Sequence, residues 1–210
     1  MKDITLPLFP LNLVAYPNED LNLHIFEPRY RQLINECLKT GATFGIPAFV
    51  DGKLMGYGTE MKVTNLQQVY DDGQLDVNTK GIRAFRLTSF ENPLPKKLYA
   101  GGSVVFLEQA NAYKSPSFEL LDAIAHLYEL LGSEAEYDIS QPYFSYQVAH
   151  KIGLSVAEEY QLLTITDEGD RQDFLTEHLE KSIPVITEME RTKERIKMNG
   201  HFKNLDALNF

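Results

Sequence analysis

Five histidines are the first residues to test for chemistry, because an imidazole is the commonest general base and metal ligand near neutral pH. His24, His126, His150, His178 and His201 are spread along the chain, and no two have the i, i+4 spacing that lets one helix face hold a metal. His24 falls on the polar side of an alternating segment, His126 and His178 among helical residues, His150 near a helix end, and His201 after Gly200. Ser103 follows Gly101-Gly102, but a nucleophile elbow needs a glycine two residues after the serine, where Val105 stands. The carboxylate pairs Asp71-Asp72 and Glu158-Glu159 read as turn and surface charges. The single Cys37 lies on a helical apolar stripe, which gives it a core role, and it has no disulfide partner within the chain.

Motifs for common cofactors are absent. The sequence has no G-x-x-x-x-G-K-[ST], G-x-G-x-x-G, H-E-x-x-H or C-x-x-C, so neither nucleotide nor zinc has sequence support, and no cofactor is expected. Net charge is -10, which argues against a phosphate-backbone partner such as nucleic acid. No run of about 18 apolar residues crosses a membrane, and Met1 to Phe9 has no apolar leader core, so a cytoplasmic protein is expected.

One charged pair and a set of aromatics remain. Glu27 and Arg29 flank Pro28, and they read either as a recognition point or as an ion pair or cap fixing a helix start. Tyr16, Phe26, Tyr30, Phe44 and Phe49 read first as core. With 11 tyrosines and 12 phenylalanines but no catalytic constellation, binding of apolar peptide segments is the function class left open. Tyr16, Phe26, Glu27, Arg29, Tyr30 and Phe44 are the candidate peptide-binding or fold-signature residues.

The elements that position these residues follow from periodicity. Leu11, Leu13 and Ala15 alternate with Asn12, Val14 and Tyr16 between Pro10 and Pro17, which predicts a strand, and Leu21, Leu23 and Ile25 alternate with Asn22 and His24 as a second. Pro28 opens a helix over about 28–39, with Tyr30, Leu33, Ile34, Cys37 and Leu38 inward and Gly41 closing it. Thr43 to Val50, Leu54 to Tyr70, Leu75 to Leu87 with a bulge at Gly81, and Tyr99 to Leu107 are further strands, joined by Asp51-Gly52 and Asp71-Asp72-Gly73 turns. About six strands with repeated hairpins and strand glycines suggest a small closed barrel.

The second half is helical. Ser115-Pro116 opens a helix with Phe118, Leu121, Ile124, Ala125 and Tyr128 inward. Ser140 and Pro142 open another, with Phe144, Val148 and Ile152 inside and Gly153 at its end. Ser155 and Glu158 have capping-box spacing. A long helix starts near Glu168; Pro184 is expected to kink or split it, and Asn199-Gly200 to end it. Glu188 and Glu190 before Arg191, Lys193, Arg195 and Lys197 match a helix dipole. The expected division is a β part over 1–112 and a helical part over 113–210. At 210 residues such a body buries roughly 70% of its unfolded surface.

The stretch LPLFPLNLVAYPNEDLNLHIFEPRYRQLI resembles the opening of the amino-terminal, substrate-binding domain of Lon proteases, in the order P-L-F-P-L, strand, proline, F-E-P-R-Y, helix. Phe44-Gly45-Ile46, Gly58-Thr59, Asp76-Val77 and Lys80-Gly81-Ile82-Arg83 with Phe85 resemble the later family pattern, with Ala84 as a small departure; Gln161-Leu162-Leu163 and Arg171 resemble its helical half. The resemblance implies an α+β fold, a PUA-like small β-barrel followed by an α-helical bundle with a long C-terminal helix, in a free-standing relative without the ATPase and Ser-Lys peptidase modules. It implies a non-catalytic module binding unfolded or tagged polypeptide, an adaptor or holder working with an ATP-dependent protease in trans. An RNA-binding protein of PUA-like fold and a hydrolase with an unrecognised site are the alternatives.

Overall fold

Alternating apolar residues in the first half and 3.6-residue periodicity in the second give strands with one helix among them first, and helices after. The computed structural model describes residues 4–202, with side chains to residue 197. The order is β1 (Ile4–Leu8), β2 (Asp20–Ile25), α1 (Pro28–Thr40), β3 (Phe44–Val50), β4 (Lys53–Val69), β5 (Leu75–Leu87), β6 (Ala100–Phe106), α2 (Phe118–Leu131), α3 (Phe144–Ala149), α4 (Val156–Thr164) and α5 (Glu168–Phe202). The strands form one sheet in the order β2-β5-β4-β3-β1-β6, and β5 also pairs with β6. Following the pairings from β5 through β4, β3, β1 and β6 therefore leads back to β5. Among the described strands β1 pairs with β3 in parallel and the other pairings are antiparallel.

The strand expected over Leu11 to Tyr16 is not one. Leu11 makes a single bridge to Ala48, and the first strand lies upstream at Ile4–Leu8. Alternation fails here because Val14, Ala15 and Tyr16 are all buried in succession. Two of their backbone groups are met by side chains, Thr59 Oγ1 donating to the Ala15 carbonyl and the Tyr16 N–H donating to Glu19, and the Tyr16 carbonyl accepts from the Glu19 N–H.

The bulge expected at Gly81 is present. Glu60 faces Arg83 and Met61 faces Gly81, so Ile82 is the extra residue. A Cβ on Gly81 would lie 2.0 Å from the Tyr16 carbonyl oxygen, so only glycine lets the irregular segment run this close to β5.

In the helical half Ser117, rather than Ser115-Pro116, caps α2, accepting from the Leu120 N–H at 3.1 Å. The buried face is centred on Leu120, Ile124 and Leu127; of the residues expected inward, Ile124 is buried and Leu121 and Tyr128 pack against the core, while Phe118 and Ala125 are exposed. The helix expected up to Gly153 is only the six residues of α3, with Phe144, Val148 and Ile152 buried as expected. The Ser155–Glu158 capping box forms on α4. Pro184 lies inside α5 and does not divide it, and Asn199-Gly200 does not end it.

The core has three parts. One lies between α1 and the sheet, around Leu33, Ile34, Phe44 and Met61, and a small one is centred on Leu8 and Phe85. The largest joins Val14, Tyr16 and Ala84 from the β half to Leu120, Phe144, Tyr146, Leu163 and Leu175 from the helices.

Candidate functional site

The six residues singled out in the sequence separate by burial. Tyr16, Tyr30 and Phe44 are buried and offer a peptide no surface; Tyr30 stacks on Phe9 with ring centroids 3.7 Å apart. Phe26 is 59% exposed. Glu27 stands at the N-cap position of α1 but its side chain caps nothing. Its Oε2 instead accepts from Arg29 Nε at 2.8 Å and lies 2.8 Å from the other guanidinium nitrogen, while the guanidinium carbon sits 4.5 Å from the Tyr30 ring centre. The pair is half-exposed and spans the helix start as an ion pair.

A second region emerges where the two halves meet. The Asn18 N–H donates to the Gly81 carbonyl and Asn18 adopts a left-handed φ of 65°, which ties the Pro17–Asp20 turn to β5, while Glu19 of the turn reaches His150 at the end of α3. Tyr143, left-handed with φ 59°, starts α3 just after Pro142. Between them lies a cleft of about 330 Å³, lined among others by Pro17, Glu19, Pro142, Tyr143, Gln147 and His150.

Beneath the cleft Tyr16 lies flat against Tyr146, with centroids 4.6 Å apart. The Tyr16 hydroxyl donates to the Glu159 carbonyl oxygen at 3.0 Å. Burial, with Glu159 nearby, pushes the Tyr16 phenol well above its ordinary value, and burial does the same for Tyr146. Both therefore stay neutral.

His150 stands between two carboxylates, Nδ1 2.6 Å from Glu159 Oε1 and Nε2 3.3 Å from Glu19 Oε1. Burial alone would lower its pKa; hydrogen bonds and charge from Glu19 and Glu159 outweigh that and raise it to about 9. A protonated ring with both nitrogens engaged is a clasp between the turn, α3 and α4, and it has no lone pair for a base or a metal.

Under Tyr146 lies a buried ion pair. Arg171 donates from Nη2 to Glu168 Oε2 at 2.8 Å, from Nε to Ser145 Oγ at 2.9 Å, and from Nη1 to Gln109 Oε1 and the Ile165 carbonyl at 2.7 Å each. Its guanidinium carbon is 4.3 Å from the Tyr146 ring centre. Glu168 also accepts from the N–H and hydroxyl of Ser145 and from Gln172. The serine hydroxyl is thereby committed to structure.

The remaining groups are accounted for in the same way. His24 lies 2.6 Å from Asp76 and 2.7 Å from Gln74, and the Asp76 hydrogen bond raises its pKa. His178 contacts Glu158 and the Ile152 carbonyl, His126 is exposed, and the His201 side chain lies outside the described residues. Burial pushes the Cys37 thiol up to about 11. Among the described residues no three His, Cys, Asp or Glu side chains are grouped to hold a metal, and no helix is long and apolar enough to cross a membrane.

Sequence reading missed this cleft because its members are far apart in the chain. Tyr143, Tyr146 and Glu19 carry no motif, and His150 has no partner at helical spacing. The one local signal was Pro142-Tyr143 directly ahead of an apolar helix.

Comparison with known proteins agrees with the fold. The family model of the ATP-dependent protease La (LON) substrate-binding domain matches residues 5–181. Among solved structures the chain is similar to a Lon N-terminal domain protein from Xanthomonas campestris, at 28% identity and a TM-score of 0.66, over 82% of this chain and 96% of that one. It is also similar in fold to the N-terminal domain of the Mycobacterium avium complex Lon protease, at 14% identity and a TM-score of 0.57, over 84% and 98% of the two chains.

Proposed function

Because the chain belongs to the family of LON substrate-binding domains, we propose that it is a non-catalytic polypeptide-binding module whose binding surface is the cleft between the Pro17–Asp20 turn and α3. The carrying observation is the make-up of that cleft. Pro142 and Tyr143, beside the buried Pro17, line it with apolar and aromatic surface, while Glu19 and His150 next to them already have partners within the protein. Such a surface suits an extended, unfolded or tagged segment, which brings its own backbone polarity and needs apolar area to rest on.

Several observations support the rest of the reading. The pairings that lead from β5 back to β5 suit a PUA-like barrel over residues 1–112, with the helices of 113–210 as a bundle beside it. The engaged His150, the buried Cys37 with its raised pKa and the tied Ser145 hydroxyl favour binding over hydrolysis. Net charge -10 favours polypeptide over RNA. In this reading the protein is a cytoplasmic adaptor or holder that passes clients to an ATP-dependent protease in trans.

Fluorescence anisotropy with a labelled apolar peptide and a reduced, unfolded protein tests it. Saturable binding is expected, weakened at least tenfold in Tyr143→Asn, where asparagine tolerates the left-handed backbone and keeps the fold. Tenfold is about 1.4 kcal/mol. Equal binding by the variant would remove the cleft from the reading. No binding together with salt-sensitive retention on RNA would overturn the function, and peptide cleavage lost on substitution of one Ser, Cys or His would overturn its non-catalytic character.

A further inference from the structure

The last helix is longer than the fold requires. α5 spans 35 residues, roughly 50 Å at 1.5 Å per residue. Its first half is anchored through Leu175 and Leu179, with Ile183 and Ile186 partly covered; from Pro184 to residue 197 no side chain is buried. The family match stops at residue 181.

Beyond that point one side of the helix is apolar and bare. Val185, Met189 and Ile196 are 60%, 55% and 65% exposed, and with Thr192 they recur at spacings of four, three and four. This is the spacing that keeps a seam on one side of a helix wound against another. Val185, Met189 and Thr192 share a shallow groove rimmed by Glu188 and Lys193.

Charge along the helix sets the orientation of a mate. Between residues 184 and 190 there are Glu188 and Glu190 and no basic residue; between 191 and 197 there are Arg191, Lys193, Arg195 and Lys197 against Glu194. A helix dipole acts within the first and last turns, and Glu188 stands some twenty residues from the start of an undivided helix, so the dipole does not explain the acidic stretch. Laid parallel, two copies set like charges together. Laid antiparallel, the acidic stretch of each faces the basic stretch of the other.

We propose that this face of α5 pairs antiparallel with the same face of a second copy of the chain. Met189 then meets Thr192 of the second copy, Val185 meets its Ile196, and Glu188 flanks its Arg195. The seam covers only about two heptads, which places it at the small end of specific interfaces and makes the association reversible and concentration-dependent.

Sedimentation velocity of the full chain from about 5 to about 200 μM, a span chosen for a weak pairing, tests the proposal. The weight-average mass should rise from one chain toward two. Glu188→Arg should weaken association at least fivefold, and adding Arg195→Glu in the same chain should restore it. Met189→Glu should abolish association with the melting temperature unchanged. Under oxidation the double variant Val185→Cys/Ile196→Cys should form a disulfide-linked dimer, and neither single variant should. A monomer mass at every concentration, unaltered association in Glu188→Arg, or cross-linking by a single cysteine variant would overturn antiparallel pairing.

Discussion

Tyr16 and Tyr146 stack 4.6 Å apart with their planes only 14° from parallel, and through this contact the irregular segment before β2 is held against α3. The Tyr16 hydroxyl continues the link to the Glu159 carbonyl of α4. Two contributions can be separated. Tyr16→Phe keeps the stack and loses one hydrogen bond, for an expected cost of about 1 kcal/mol. Tyr16→Ala also empties a fully buried site and should cost about 3–5 kcal/mol. Urea unfolding of both variants checks the ratio.

His150 gives the fold a dependence on pH. Its pKa is raised to about 9 from an ordinary 6.5, against the pull of burial, by Glu19 and Glu159. The folded state therefore binds the proton more tightly than the unfolded chain does, and the stability this confers is full below about 6.5 and declines as pH rises through about 9. With 34% of the side chain still exposed, solvent reduces the effect. The expected outcome is a melting temperature that falls between pH 6.5 and 9.5, and falls less in Glu19→Gln. NMR titration of the His150 ring should place its midpoint near 9 in the folded protein.

Arg171 and Glu168 are both wholly buried, so removing one leaves the other charged and unpaired. Arg171→Met is expected to cost about 3–5 kcal/mol. For a chain of this length that is a drop of roughly 10 °C in Tm by scanning calorimetry. Changing Glu168→Gln as well removes the stranded charge, and the double variant should recover part of the loss. Additive losses would show that the hydrogen bonds to Ser145, Gln109 and Ile165, and not the ion pair, hold this region together.

How much of this was legible in the sequence depends on whether the cause was local. Pro28 and Gly41 bound α1, the Ser155–Glu158 box starts α4, and the Gly81 bulge stands where the alternation changed phase, because each is set by a few adjacent residues. The Leu11–Tyr16 segment misled because burial on both sides overrode its alternation. The inward face of α2 was misjudged at Phe118 and Ala125, and Ser117, two residues beyond Ser115, proved to be the cap. The clasp of Glu19, His150 and Glu159 joins residues more than 130 positions apart, and no spacing rule reaches that far.

Glu27 shows how a correct motif can carry the wrong energetics. Read as a cap, its loss would cost about 1 kcal/mol. Its side chain bonds the Arg29 guanidinium and no backbone N–H of the first turn, and both partners are roughly 40% exposed. Glu27→Ala is therefore expected to change stability by less than about 0.5 kcal/mol, as for other exposed pairs. Chemical denaturation distinguishes the two values.

Gly81 is the position where the smallest change should have the largest reach. A methyl there would meet the Tyr16 carbonyl oxygen at 2.0 Å and the Pro17 Cα at 3.3 Å, both of them backbone and unable to rotate away. Gly81 also exchanges hydrogen bonds with this turn: its N–H donates to the Glu19 carbonyl, and its own carbonyl accepts from the Asn18 N–H. Gly81→Ala must push the turn off β5, and overpacking of this kind costs about 1–3 kcal/mol. The displacement would carry Glu19 away from His150 and widen the cleft, so the variant should show a lower melting temperature and a His150 midpoint moved back toward 6.5. A lower melting temperature with the His150 midpoint unmoved would mean that the turn yields elsewhere and that the clasp holds independently of β5.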